Sequence, residues 1–201
     1  MSIERPKIVL LPGMDGTGNL FAEFIEALPP ASKRRCSDTL QTASGLSHSY
    51  ISFLNPPCPA STPFVLVAES FSAPLAMQWA AVGKPNLKGL VICAGFVTSP
   101  VQGWLRLICL FLSPFYFLIQ PPTSAIKFFL VGRGASNSLV AAVRAAIASV
   151  GPGVLAHRLR LALSCDSRAA LSKVNAPTLF IQPMEDTPQV GALSLIDCPL
   201  G

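Results

Sequence analysis

FVLVAESFSAP, residues 64–74, reads as a strand that ends abruptly at a serine. Phe64 to Val67 are all apolar, as expected of a strand buried on both faces of a parallel sheet. Pro74 suits the first turn of a helix, where its missing N–H leaves no bond unmade, and residues 73–82 continue in a helical pattern. Ser70 therefore stands at a strand-to-helix corner. A corner this sharp lifts a hydroxyl above the sheet edge. It also brings the side chains two positions before and two after into near contact, so both must be small. Ala68 and Ser72 meet that steric demand without matching a strict G-x-S-x-G. Five residues alone fit equally well a serine that simply caps a helix.

LLPGMDGTG lies about 55 residues upstream and precedes an amphipathic stripe of Leu20, Phe21, Phe24, Ile25 and Leu28. A serine nucleophile needs two backbone N–H groups to hold the anion formed on its substrate. The residue after the serine, Phe71, supplies one, and Met14, following Pro12 and Gly13, is the candidate for the other. An ordinary glycine-rich turn is the plainer alternative. A phosphate-binding loop is disfavoured, because neither G-x-x-x-x-G-K-[ST] nor G-x-G-x-x-G occurs here.

Ile8–Leu11, Phe64–Val67, Leu87–Ala94 and Thr178–Ile181 read as strands. Residues 20–28, 73–82, 137–149 and 153–164 read as helices, with a short one over 50–54. Strands alternating with helices over short links predict an α/β fold with a mostly parallel sheet flanked by helices. About 80 residues, mostly helical and strongly apolar, separate the third strand from the last. This divides the chain into a core, residues 1–100 and 166–201, and an inserted helical cap or lid, residues 101–165.

LLPGMDGTGNLFAEFIEALP and PFVLVAESFSAPLAMQWAA together resemble the α/β-hydrolase superfamily. They are most similar to a branch with L-P-G-x-D-G-T-G and A-E-S-F-S-G-P-L-A in place of H-G and G-H-S-x-G, and LKGLVICAGFV and LSKVNAPTLFIQPMED extend the resemblance. It implies a nucleophile elbow at Ser70 and serine-type hydrolysis, usually of carboxylic esters, with triad order Ser, then Asp or Glu, then His. The acid position falls on Asp186, with Glu185 as the neighbouring alternative. The base belongs after one more helix and strand, yet only 15 residues follow Asp186. A parallel crossover needs about a dozen residues, usually helical, and no such helix fits before the run Leu193–Asp197. The last helix and strand therefore read as incomplete, and Leu200 occupies the place of the histidine. His48 and His157 both read as surface or helix-end residues. The expectation is a hydrolytic framework, weakly active or inactive, truncated before its histidine. A non-catalytic binding protein with the same pocket is the alternative.

Phe111, Phe115, Tyr116 and Phe128 in the cap would line an apolar pocket suited to a small ester-like molecule with an apolar part. Equally, they would serve to pack the cap onto the core. Residues 104–120, interrupted by Arg106, Ser113 and Pro114, are too short and broken for a span and suit weak contact with a membrane surface better. About half of the residues are apolar and 12% charged, with a net charge of +5 and no aromatic interleaving of the basic residues. Nucleic acid is thus not an expected partner. The six cysteines show no C-x-x-C spacing and no histidine nearby, so no metal site and no cofactor is expected, and free thiols suit a reducing, cytoplasmic setting. The N-terminus has no apolar signal-type segment. Nothing in the sequence sets an oligomeric state.

Overall fold

The four apolar runs become four parallel strands of one sheet. The computed structural model describes residues 6–29, 62–101, 103, 104, 106 and 122–182. In it β1 is Lys7–Leu11, β2 Phe64–Glu69, β3 Leu87–Cys93 and β4 Thr178–Ile181, in spatial order β1-β2-β3-β4. One row crosses the sheet through Leu10, Val67, Val91 and Leu179. β2 continues two residues past Val67, because Ala68 and Glu69 still pair with Ile92 and Cys93.

Alternate side chains of a strand face opposite ways, and here each face acquires its own core. Val9, Leu11, Phe64, Leu66, Ala68, Leu90 and Ile92 form one, covered by Ala73, Ala76, Met77, Trp79 and Ala80 of α2, Ala73–Ala80. Trp79 stacks obliquely on Phe64 at 5.8 Å, and the Lys84 ammonium lies 5.0 Å over its ring. Side chains as buried as Leu66 and Ile92 stabilise the fold by about 1.5–3 kcal/mol each. On the other face Leu10 and Val67 pack with Phe21, Ile25 and Leu28. Phe21 comes from a 3₁₀ turn, Asn19–Phe21, that runs into α1, Ala22–Ala27, which carries Ile25, and Leu28 follows its end.

Between β3 and β4 lie α3, Thr123–Ile126, which continues as a π-helical turn over Lys127–Val131, then α4, Asn137–Ala148, and α5, Pro152–Ser164. The Ser136 hydroxyl caps α4 by accepting the Leu139 N–H, and Pro152 occupies the first turn of α5. Ile126, Val140 and Val143 form a separate small core that meets the main body at Leu20. α6, Arg168–Leu171, returns the chain to α2 through Ala170 and Leu171. Among the described residues no single helix is long and apolar enough to cross a membrane. Most of the 104–120 segment lies outside the described residues.

Candidate active site

α1 and α2 leave the ends of adjacent strands and cover opposite faces of the sheet. Both start from the carboxyl ends of their strands, the edge at which open α/β sheets bind ligands. Two stretches lie along that edge: the loop from Pro12 to Gly18 after β1, and the corner at Ser70 after β2.

Ser70 has φ 48°, in the left-handed region. A non-glycine residue there costs about 1–2 kcal/mol, so its surroundings must impose the conformation. Ser72, fully buried, does much of this. Its hydroxyl lies 2.9 Å from the Leu11 carbonyl and 3.0 Å from that of Glu69, and it accepts the Glu69 N–H at 3.1 Å. One short side chain thus ties the ends of β1 and β2 to the corner. The Ala73 N–H closes the turn on the Ser70 carbonyl, and the Glu69 carboxylate accepts the Ser72 N–H. Ala68, two residues before the serine, is as buried as Ser72, two after, so the demand for small flanking residues is met in the structure. Ser70 itself is half-buried.

The loop after β1 is shaped by its own bonds. The Gly16 N–H donates to the Gly13 carbonyl at 3.2 Å. The buried Asp15 carboxylate accepts the Thr17 N–H at 2.9 Å and the Thr17 hydroxyl. Gly16 and Gly18, at φ 68° and 75°, supply the left-handed positions at no steric cost. Glu69 grips the loop by accepting the Gly13 N–H. Nη1 of the buried Arg158 in α5 donates to the Met14 carbonyl at 2.7 Å. Met14 and Phe71, the two expected anion donors, share a hydrophobic cluster with Leu75, Phe96, Leu161 and Ala162.

Charge along this edge is strained by burial. Burial first, then the neighbouring Asp15 carboxylate, pushes the Glu69 carboxyl above its usual range, and the Gly13 N–H only partly offsets this. Burial also lowers the Arg158 guanidinium from its usual value, against the attraction of Asp15. The thiol of Cys93, beside Glu69, is raised by burial and then by that carboxylate. Cys165 is pushed up to about 11, mainly by burial. Both thiols are free, and neither is an activated nucleophile. Among the described residues no group of three His, Cys, Asp or Glu could hold a metal ion.

A cleft of about 220 Å³ opens beside the corner, between α2 and α5, lined by Phe71, Leu75, Gln78, Leu161, Cys165 and Asp166 among others. It shares Phe71 with the corner, but Ser70 is not among its lining residues. Asp186, Glu185, His48, Phe111, Phe115 and Tyr116 lie outside the described residues, as does the side chain of Phe128, whose backbone belongs to the π-helical turn. His157 is exposed on α5. Arg158 was not expected at the site from sequence. Its signal was periodicity: Leu155, Arg158 and Ala162 fall at i, i+3 and i+7, one buried helical stripe, with a cation in the middle.

No family model matches the chain, and no curated protein matches it. Among solved structures it is similar to a hydrolase from Oleispira antarctica, with a TM-score of 0.68 and 13% identity over 93% of this chain and 77% of that one. At that identity the likeness establishes a shared fold: four parallel strands with flanking helices, on an α/β framework that also carries a hydrolase.

Proposed function

We propose that the chain is a serine hydrolase of the α/β-hydrolase type, cleaving a carboxylic ester with an apolar part. The observation that carries this reading is Ser70 at φ 48°, forced into the left-handed region at a strand-to-helix corner beside a glycine-rich loop. Ser70 is read as the nucleophile and the N–H groups of Phe71 and Met14 as the oxyanion hole. The sharing of one hydrophobic cluster by those two residues supports the pairing. The 101–165 segment is read as the cap.

The chemistry follows from these parts. The Ser70 oxygen attacks the ester carbonyl, the carbonyl oxygen gains negative charge, and the two amides stabilise it. Such a donor pair matters greatly, since losing one donor costs about 10²–10³ in rate. Attack also requires a base for the serine proton. In this reading Asp186 is the acid that orients the base. Glu69 is not that base, because it is engaged with the Gly13 and Ser72 amides. His157 is exposed, and the structure records no bond from it to Ser70. Among the described residues, neither Glu69 nor His157 is placed as that base.

The test is covalent labelling by a fluorophosphonate probe. Time-dependent modification mapped to Ser70 by peptide mass spectrometry, lost in Ser70→Ala, is the expected result. A folded protein that never labels would overturn the reading in favour of a non-catalytic binding protein.

A further inference from the structure

Arg158 belongs to the segment between β3 and β4, yet its guanidinium ends on the loop after β1. It is only 7% exposed, an unusual position for an arginine that serves as solvated surface. Nη1 donates to the Met14 carbonyl at 2.7 Å. The fork lies flat against Gly16, where an added Cβ would meet Nη1 at 2.6 Å and Nη2 at 2.8 Å. The φ of 68° favours glycine at position 16, and the missing Cβ leaves room for the guanidinium to come this close. The same helix carries Leu161 and Ala162 one turn further on, packed against Phe71. α5 thus touches both residues read as anion donors, Met14 through a charge-assisted hydrogen bond and Phe71 through apolar contact.

We propose that Arg158 is a positioning residue that fixes the Met14–Asp15 peptide, and through the Met14 backbone the adjoining Gly13–Met14 peptide that carries the Met14 N–H, so that α5 sets the geometry of the oxyanion hole from the cap side. This rests on the hydrolase reading and deepens it. The Gly13–Gly16 turn is held by the Glu69 carboxylate at Gly13 and by Arg158 at Met14. Removing the Arg158 contact leaves a glycine-rich loop free to rotate the Met14 N–H away from the developing anion. A misplacement near 1 Å can cost about 10²-fold in rate. The cap in this view is part of the catalytic geometry as well as a cover, and a shift of α5 would move both donors together.

The experiment is saturation kinetics of fluorophosphonate labelling, which separates the maximal rate from the half-saturating concentration. Arg158→Ala and Arg158→Met should lower the maximal rate on the order of 10- to 100-fold with little change in half-saturation. Arg158→Lys, which keeps one donor and the charge but not the fork, should recover part of the rate, as should millimolar guanidinium added to Arg158→Ala. Circular dichroism and thermal melting identify variants that are folded, and Arg158→Lys carries the test where the truncations are not. Variants that label at the wild-type rate overturn the positioning role alone, as does a loss confined to half-saturation. A wild type that does not label overturns the hydrolase reading, and the positioning role falls with it.

Discussion

Ser70 and Ala94 make the informative comparison in this molecule. They follow the paired residues Glu69 and Cys93 at the ends of adjacent strands, and they share one unusual conformation, φ 48° and 46°. The consequences differ. At Ala94 the turn serves the sheet, with its N–H donating to the Ile181 carbonyl at 2.8 Å so that β3 stays bonded to the end of β4. At Ser70 the turn leaves the sheet and launches a helix, with the Glu69, Ser72 and Leu11 contacts locking the corner. Left-handed backbone alone therefore does not mark a site. What sets Ser70 apart is the same backbone together with a hydroxyl, a helix start and a glycine-rich loop nearby.

Replacing each residue by glycine should separate the two corners by the largest effect. Relief of about 1–2 kcal/mol of backbone strain is set against about 0.5–1 kcal/mol for the extra freedom of glycine. Both Ser70→Gly and Ala94→Gly should thus be neutral to slightly stabilising in chemical denaturation. Labelling should disappear entirely in Ser70→Gly and persist near the wild-type rate in Ala94→Gly. Equal labelling of the two variants would end the case for a nucleophile at position 70.

Gly95 links the two corners. A Cβ there would lie 2.4 Å from Ile92 Cγ2 and 2.5 Å from the Ala73 Cβ. Neither atom is the far end of a flexible chain, so Gly95→Ala overpacks the joint and should cost about 1–3 kcal/mol. Thermal melting of Gly95→Ala with and without Ala73→Gly sharpens the point. The second change removes one of the two clashes, and recovery should be partial. A somewhat smaller effect is expected at Ser72, whose hydroxyl serves only the Ser70 corner. Ser72→Ala orphans buried backbone groups at the ends of β1 and β2 and should cost about 1–2 kcal/mol by urea titration. An unchanged midpoint would show that the corner does not depend on that hydroxyl.

The corners also show what a sequence discloses and what it withholds. Local rules located Ser70, because the strand, the small flanks and the helix-initiating proline are all within eleven residues. The four strands were legible for the same reason, each being a compact apolar run with turn signals around it. Arg158 was not, since its partner Met14 is 144 positions away in sequence and no local pattern encodes that contact. Ala94 was hidden for another reason. Alanine has no side-chain signature for left-handed backbone, and its conformation is imposed by β4, which arrives 84 residues later.

Glu69 gives the subtlest separation of the two corners. It holds the Ser70 side through the Gly13 and Ser72 amides, and its carboxyl is raised above the ordinary 4.5 by burial and then by Asp15. A raised folded-state value means that the native protein binds the proton more tightly than the unfolded chain does. The resulting stabilisation is fully present below 4.5 and is lost as pH rises through the folded value. Asp166 acts in the opposite sense and in another window. Its bonds to Arg168 hold it near 2, so its contribution is present above 3.8 and fades only as pH falls towards 2. Above pH 4.5 only Glu69 of the two contributes a slope, so its contribution can be isolated there. Urea midpoints of the wild type should decline over that range more than those of Glu69→Gln, whose amide carries no charge to desolvate. The excess protection of the Gly13 and Ser72 amides in hydrogen exchange should follow the same pH course, while that of the Ala94 amide should not. A wild-type midpoint as flat with pH as that of Glu69→Gln would mean that the carboxylate costs nothing to bury, and the strain assigned to the Ser70 corner would then have to come from the backbone alone.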